Sequence, residues 1–555
     1  MSSPQRSSES TYEAFSRPPI THDDEYIPYV PMTMTCQDGT VLYETEYRCL
    51  LMEIIRRDDV TSLEQYLAID PQAVGHACDE ISDYYSLFYI AVDNGSLGAL
   101  RVLLSHQETI TLRPGFVSYK ELGFTLLNEA ARRADIEIVQ FLLDNQPAYA
   151  DINERDENGC TAILAAADIY STLYPEPFNW QPSVQRGETV MNVLLDRGAS
   201  ASDIIVPLWD DMGTPETVLT LVARWAGPEL INRLIKGGAD VHAKIDGDPF
   251  CLTWDFGLGP VSNMSAISMA SWHANIAAIQ TFIECRDSGV EIADMISFRD
   301  SSGSNPLHWL TRNYMAQEQP YIQSRAQQEQ KIKEIIDTAG LLLDIDPHAI
   351  HSQDCTGNTP LHYATQHTAQ QYENYTAVIE LLCKNGADAS IRNDMEETPL
   401  HTLISHPRIS PRAMSILLAH GARVTDTNKE GNSPLHLAIT ERSDVDVISF
   451  LLEQGADANL MNMEHNTPLH VAALHSLWVR NPNDKTNKYQ EHVRAILEEA
   501  AGKTGIDMLN GDGKTAQQER KERMELRRKE EIEWEAASRE TGPANEESQW
   551  LNAHP

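Results

Sequence analysis

Five histidines carry the clearest hint of chemistry in the chain. His308, His362, His401, His436 and His470 each close a tetrapeptide: Asn305-Pro306-Leu307-His308, Thr359-Pro360-Leu361-His362, Thr398-Pro399-Leu400-His401, Ser433-Pro434-Leu435-His436 and Thr467-Pro468-Leu469-His470. Imidazoles can ligate metals or carry protons. These recur one per motif, with the prolines 54, 39, 35 and 34 residues apart, so they cannot converge on one ion. Two other echoes fail on their own residues. Ala501-Gly502-Lys503-Thr504 resembles the end of a phosphate loop, but Leu497 stands where the earlier glycine belongs, and a helix is expected before it. Asn510, Asp512, Gly513 and Glu519 fit four positions of a calcium loop, yet Met508 occupies the first ligand position. No G-x-S-x-G, H-E-x-x-H or kinase signature occurs. The sequence therefore predicts no catalytic residue, no cofactor and no metal ligand.

Composition narrows the partners. Among 555 residues, 43 Lys+Arg face 82 Asp+Glu, a net charge of −39, so nucleic acid is not expected as a partner. A hydrophobic share of 41% with 23% charged residues is enough for a packed core. No run of eighteen apolar residues predicts a membrane span. The first ten residues, MSSPQRSSES, lack the apolar segment of a secretory signal. The closest pair among the eight cysteines, Cys36 and Cys49, is 13 residues apart, which suits reduced thiols better than a disulfide framework. A cytoplasmic or nuclear monomer is expected.

The tetrapeptides must be positioned by something, and each reads as a helix start. Thr, Ser or Asn caps the helix, and Pro follows at the first helical position, where its missing N–H costs nothing. A second helix with a one-sided apolar stripe lies downstream, for example Val378-Ile379 with Leu381-Leu382, or Val447-Ile448 with Phe450-Leu451-Leu452. Gly386-Ala387-Asp388, Gly421-Ala422-Arg423 and Gly455-Ala456-Asp457 then end these helices at a glycine. A turn leads to the next cap, with Gly303, Gly357 and Gly431 two residues before it.

This pattern resembles the ankyrin-repeat family, most clearly from Asp300 to Leu474. Weaker copies extend upstream, so starts fall near residues 86, 125, 161, 217, 265, 305, 359, 398, 433, 467 and 515. Leu50 to Leu67 reads as a degenerate helix pair capping the N-terminal end. The resemblance implies an all-α fold, an ankyrin-repeat α-solenoid of helix–turn–helix units joined by hairpin loops. Its expected organisation is a disordered tail at 1–35, degenerate insertion-bearing repeats at 45–300, clearer repeats with a C-terminal capping helix at 301–530, and a disordered tail at 541–555. It also implies that the motif histidines bond between adjacent turns. Glu396 and His465 replace the turn glycine and should weaken their turns; Leu310 and Leu403 replace a small alanine and should push neighbouring helices apart.

Insertions must leave through loops. Asp168 to Glu188 carries Tyr170, Tyr174, Phe178 and Trp180 among prolines, either as interface anchors or as cover for the solenoid. Asp246 to Asn263 carries Trp254 and Phe256, and the Gln-rich Arg312 to Lys331 is expected to lengthen a helix. Beyond Thr515, i, i+4 pairs Glu519–Arg523 and Glu525–Lys529 predict a long solvated helix. Its basic clusters, Arg520-Lys521 and Arg527-Arg528-Lys529, leave open a nuclear-localisation reading.

By resemblance, the function is that of a non-catalytic protein–protein interaction scaffold or adaptor. The candidate partner-binding residues are the hairpin-tip residues Asp394, Met395, Glu396, Lys429, Glu430, Met463 and Glu464, with Asp354 beside them, and the loop aromatics Tyr174, Phe178 and Trp180. Their acidic balance predicts protein partners with basic or mixed surfaces. The array is also similar to ankyrin proteins of filamentous fungi. That likeness implies a second reading, an accessory or regulatory role in a secondary-metabolite (toxin) biosynthetic pathway. An enzyme with a site assembled across repeats is the third.

Overall fold

The computed structural model describes residues 33–36, 39–43, 49–69, 87–106, 119–146, 150–156, 159–168, 184–205, 216–245, 261–286, 291–312, 325–368, 375–405, 409–475 and 485–541. It divides into two compact units, Met1–Phe116 and Val117–Pro555.

In the first unit, strands Thr33–Thr35 and Val41–Tyr43 pair antiparallel, with Thr33 opposite Tyr43. Thr33–Thr35 was expected within a disordered tail and is instead a strand. The degenerate cap is a helix pair, Cys49–Arg56 and Val60–Ile69. It packs on a second pair, Leu87–Asp93 and Leu97–Ser105, first helix to first and second to second. Leu50, Leu51, Ile54, Ile55 and Leu63 are buried. Asp58, in left-handed backbone at φ 52°, accepts the N–H groups of Gly98 (3.2 Å) and Ala99 (2.6 Å). It thereby supplies the cap of a neighbouring helix whose own Ser96 makes no side-chain cap bond.

The second unit repeats one motif. Its first helices are Tyr119–Arg132, Ala162–Ala167, Val218–Val222, Ala266–Trp272, Pro306–Thr311, Pro360–Thr368, Pro399–Ile404, Pro434–Thr440 and Pro468–Leu474, each packed on the next. The final helix, Ala516–Thr541, packs on the last of them. The second helices, from Ile136–Asp144 through Val184–Asp196, Pro228–Lys236, Ile276–Glu284, Arg325–Ile345 and Thr376–Lys384 to Pro411–Ala419, stack in a parallel row. Val445–Glu453 packs likewise on Lys485–Ile506. The fold is an all-α solenoid, and the few strand residues of this unit, such as Lys244–Ile245 paired with Met264–Ser265, lie in the turns between pairs.

Three details depart from the sequence reading. The unit expected to start at Thr125 begins its helix at Tyr119; Leu126 stands where the clear repeats have proline, so nothing bars helical hydrogen bonds from running further back. Neither the Glu519–Arg523 nor the Glu525–Lys529 pair forms; Glu519 lies instead 3.7 Å from Lys514 Nζ, and the neighbouring Arg520 pairs with Glu491. An additional short helix, Ile292–Ser297, packs on Arg325–Ile345, the helix that the Gln-rich insertion was expected to lengthen and which runs 21 residues.

Candidate functional site

The hairpin tips are built by one polar residue that hydrophobic periodicity cannot reveal. Five positions before each helix cap stands Asp or Asn: Asp300, Asp354, Asn393, Asn428, Asn462 and Asn510. Each side-chain Oδ1 accepts the backbone N–H groups two and four residues on, as at Asn428 with Glu430 (3.1 Å) and Asn432 (3.0 Å). The same pair of bonds recurs at Asp300, Asp354, Asn393, Asn462 and Asn510. Such a side chain substitutes for the missing strand partner and closes the turn. Asn510 is thus spent on the turn of Asp512 and Lys514 rather than held open as a calcium ligand.

The tips are then tied to one another through the backbone. Cys355 donates its N–H to Ser302 O (2.8 Å), Asp394 to Thr356 O (3.0 Å), Lys429 to Met395 O (2.8 Å), Met463 to Glu430 O (2.9 Å) and Gly511 to Glu464 O (3.3 Å). This close approach explains the turn glycines. Gly357 has φ 75°, and a Cβ there would lie 2.7 Å from Asp394 N. Glu396 and His465 adopt the same left-handed backbone, at φ 57° and 58°, without glycine's freedom.

Below the tips the histidines lock each unit to the next. The backbone N–H of Thr359 donates to His362 Nδ1 (3.1 Å), so the proton sits on Nε2, which donates to Glu397 O of the following unit (3.0 Å). His308 reaches Asn358 O, His436 reaches Asn466 O and His470 reaches Lys514 O in the same way. His401 departs from the pattern, since its Nε2 finds no partner. Burial lowers the pKa of His362 and His401 to about 4, and that of His308 to about 3 with the Arg312 charge adding to it. These three are neutral structural imidazoles.

The family model described as Ankyrin repeats (3 copies) matches residues 366–462 and 413–507, and that for a single Ankyrin repeat matches residues 122–157. The chain carries ankyrin repeats. No curated protein matches it. The helix pairs between the matched segments, from Ala162–Ala167 to Arg325–Ile345, stack on the same helix-to-helix plan. Ankyrin repeats serve protein–protein interaction, and among the described residues no helix is long and apolar enough to cross a membrane.

Asp394, Met395, Glu396, Lys429, Glu430, Met463 and Glu464 are all exposed and all lie on the bonded row of ankyrin tips. Met395 and Met463 are 49% and 72% exposed, high for side chains of this type. Asp354 is corrected: it is buried, because it is the turn-closing residue of its tip and not an outward one. Its second oxygen accepts from Arg312 Nη2 (2.7 Å) and the Tyr363 hydroxyl (2.5 Å). Tyr170, Tyr174, Phe178, Trp180, Trp254 and Phe256 lie outside the described residues. The sequence reading missed Arg312, Trp309 and Tyr363. The signal available was that charged or aromatic residues stand four and seven positions after the cap, where the later repeats have Thr402, Leu437, Ser405 and Thr440.

Proposed function

We propose that this chain is a non-catalytic scaffold or adaptor whose partners dock on the ridge of ankyrin hairpin tips. One observation carries the reading: two exposed methionines, Met395 and Met463, sit among Asp394, Glu396, Glu430 and Glu464 on tips fixed by backbone bonds. Flexible apolar side chains in a mostly acidic rim suit a partner that is basic or mixed at its rim and apolar at its centre. A rigid backbone beneath them lowers the ordering cost of binding. Lys429 breaks the acidic run and would set register. The loop aromatics Tyr174, Phe178 and Trp180 are proposed as a second anchor set, on sequence grounds.

The test is quantitative co-precipitation of the full chain beside a variant with Asp394, Glu396, Glu430 and Glu464 each changed to Lys. Basic partners should be lost from the bound set while the fold, followed by circular dichroism, is kept. An unchanged bound set would remove the tips as the docking surface.

A further inference from the structure

Just before the turn-closing Asp or Asn of a tip stands a residue that staples two units together. Arg299 Nη1 donates to Gly303 O of its own turn (3.2 Å) and to Gln353 O of the next unit (2.7 Å). Gln353 Nε2 bridges Gly357 O (2.8 Å) and Arg392 O (2.9 Å), and Arg392 Nη1 bridges Glu396 O (3.2 Å) and Thr427 O (2.6 Å). Upstream, Arg155 Nη1 joins Gly159 O and Ile204 O, both at 2.7 Å. The staples lie on the outside, since Arg299, Gln353 and Arg392 are exposed. Then the row stops. The next three residues in this register are Thr427, Met461 and Leu509, none with a side-chain nitrogen. The turns themselves are unchanged, because Asn428, Asn462 and Asn510 close them with the same two bonds, and Met463 and Gly511 still join tip to tip. Two carbonyl pairs therefore stand in the stapled arrangement with nothing between them: Gly431 O with Met461 O, and His465 O with Leu509 O. Among the described residues no group donates to any of the four.

Water satisfies an exposed carbonyl, so the gaps alone name no ligand; their surroundings do. Met463, between Met461 and His465 in the same turn, is 72% exposed, and Leu509 is 53% exposed. Residues 460–466 and 505–513 contain no Lys or Arg, whereas Glu464, Asp507 and Asp512 are exposed there. These tips thus offer acceptors, negative charge and apolar side chains, and lack the donor that the rest of the row carries. The chain shows which donor fits. Three of its four staples are Arg and none is Lys. One guanidinium nitrogen gives two N–H bonds in a fixed plane, and the aliphatic stem below it packs on apolar surface. We propose that the two open places receive arginine side chains of a partner protein, one between Gly431 O and Met461 O and one between His465 O and Leu509 O, with apolar neighbours covering Met463 and Leu509. The proposal rests on the protein–protein reading above and names the partner's chemistry.

The experiment titrates the full-length chain with peptides that carry two arginines separated by one to five residues, one of them leucine, and with the same peptides bearing lysine. The variant combines Thr427→Gln with Met461→Gln, which sets the side chain of Gln353 into each gap without adding charge. Bridging the units should hold or raise the melting temperature. One arginine spacing should bind best, its lysine version should be about tenfold weaker, and the double variant should weaken the arginine peptide about tenfold or more. No binding by any arginine peptide, equal affinity for lysine, or a double variant that binds like the wild type would overturn the proposal. A lower melting temperature would show that the gaps do not match the stapled places, and would overturn it as well. If bound peptides ignore the double variant and weaken instead on charge reversal at Asp394, Glu396, Glu430 and Glu464, the acidic tip surface stands and the arginine places do not.

Discussion

A proton added to a motif histidine has nowhere to go without breaking something. Nδ1 of His362 is already occupied by the Thr359 N–H, and the ring is fully buried. The unfolded imidazole takes up its proton near pH 6.5, the folded one only near 4. Below about pH 6.5 the unfolded state therefore binds the extra proton, so this stability is complete above that pH and is lost as pH falls toward 4. For His362 and His401 the loss by pH 5 is up to about 2 kcal/mol each. Urea midpoints should fall between pH 7.5 and 5, and His362→Gln should lower the midpoint at pH 7.5 while flattening its pH dependence; an equally steep dependence in the variant would place the titration elsewhere. The turn residues give a second test at this scale. His465 holds φ 58° where equivalent positions hold glycine, so His465→Gly should raise stability by roughly 0.5–1 kcal/mol, read as a shift in the urea midpoint. A loss would mean that the imidazole makes contacts worth more than the backbone strain.

At the level of the element, the hairpin tip depends on one side-chain oxygen. Asn428 is buried and closes its turn with two bonds, so Asn428→Ala should cost about 2 kcal/mol, while Asn428→Asp, with Glu397 changed to Gln because Asn428 Nδ2 donates to its Oε1 (3.5 Å), should cost far less. Equal losses in chemical denaturation would assign the effect to burial and not to the acceptor. Thr-Pro-Leu-His announces a capped helix because proline and the cap hydroxyl act within four residues, and every such start is found in place. The turn-closing Asp or Asn acts on N–H groups within its own loop, where no hydrophobic period marks it, so sequence alone does not distinguish Asp354 from the outward tip residues. Arg312 was missed for a related reason: Asp354 and Tyr363, its partners, lie 42 and 51 residues away, a pairing that only the stacking of units creates.

Across the second unit, each helix pair packs on the pairs before and after it, which makes stability a sum along the row. The last helix illustrates the consequence. Ala516 is buried against the preceding unit, His470 Nε2 donates to Lys514 O, and Arg520 pairs with Glu491, whereas Leu526 and Ile532 are exposed. Among the described side chains of Ala516–Thr541, apolar burial is therefore confined to the start of the helix. Ending the chain after residue 513 should uncover Leu469 and Val471 and lower hydrogen-exchange protection in Pro468–Leu474 and Lys485–Ile506. Protection in Val218–Val222 and Pro228–Lys236, many units away, should not change. Ending it after residue 526 should leave both regions as they were. Uniform loss of protection after the first truncation would mean that the row melts as one body, and the nearest-neighbour account would then fail for this molecule. Graded loss would instead let single units open near the tips while the rest of the row holds its backbone ladder, a property suited to a surface that must fit more than one partner.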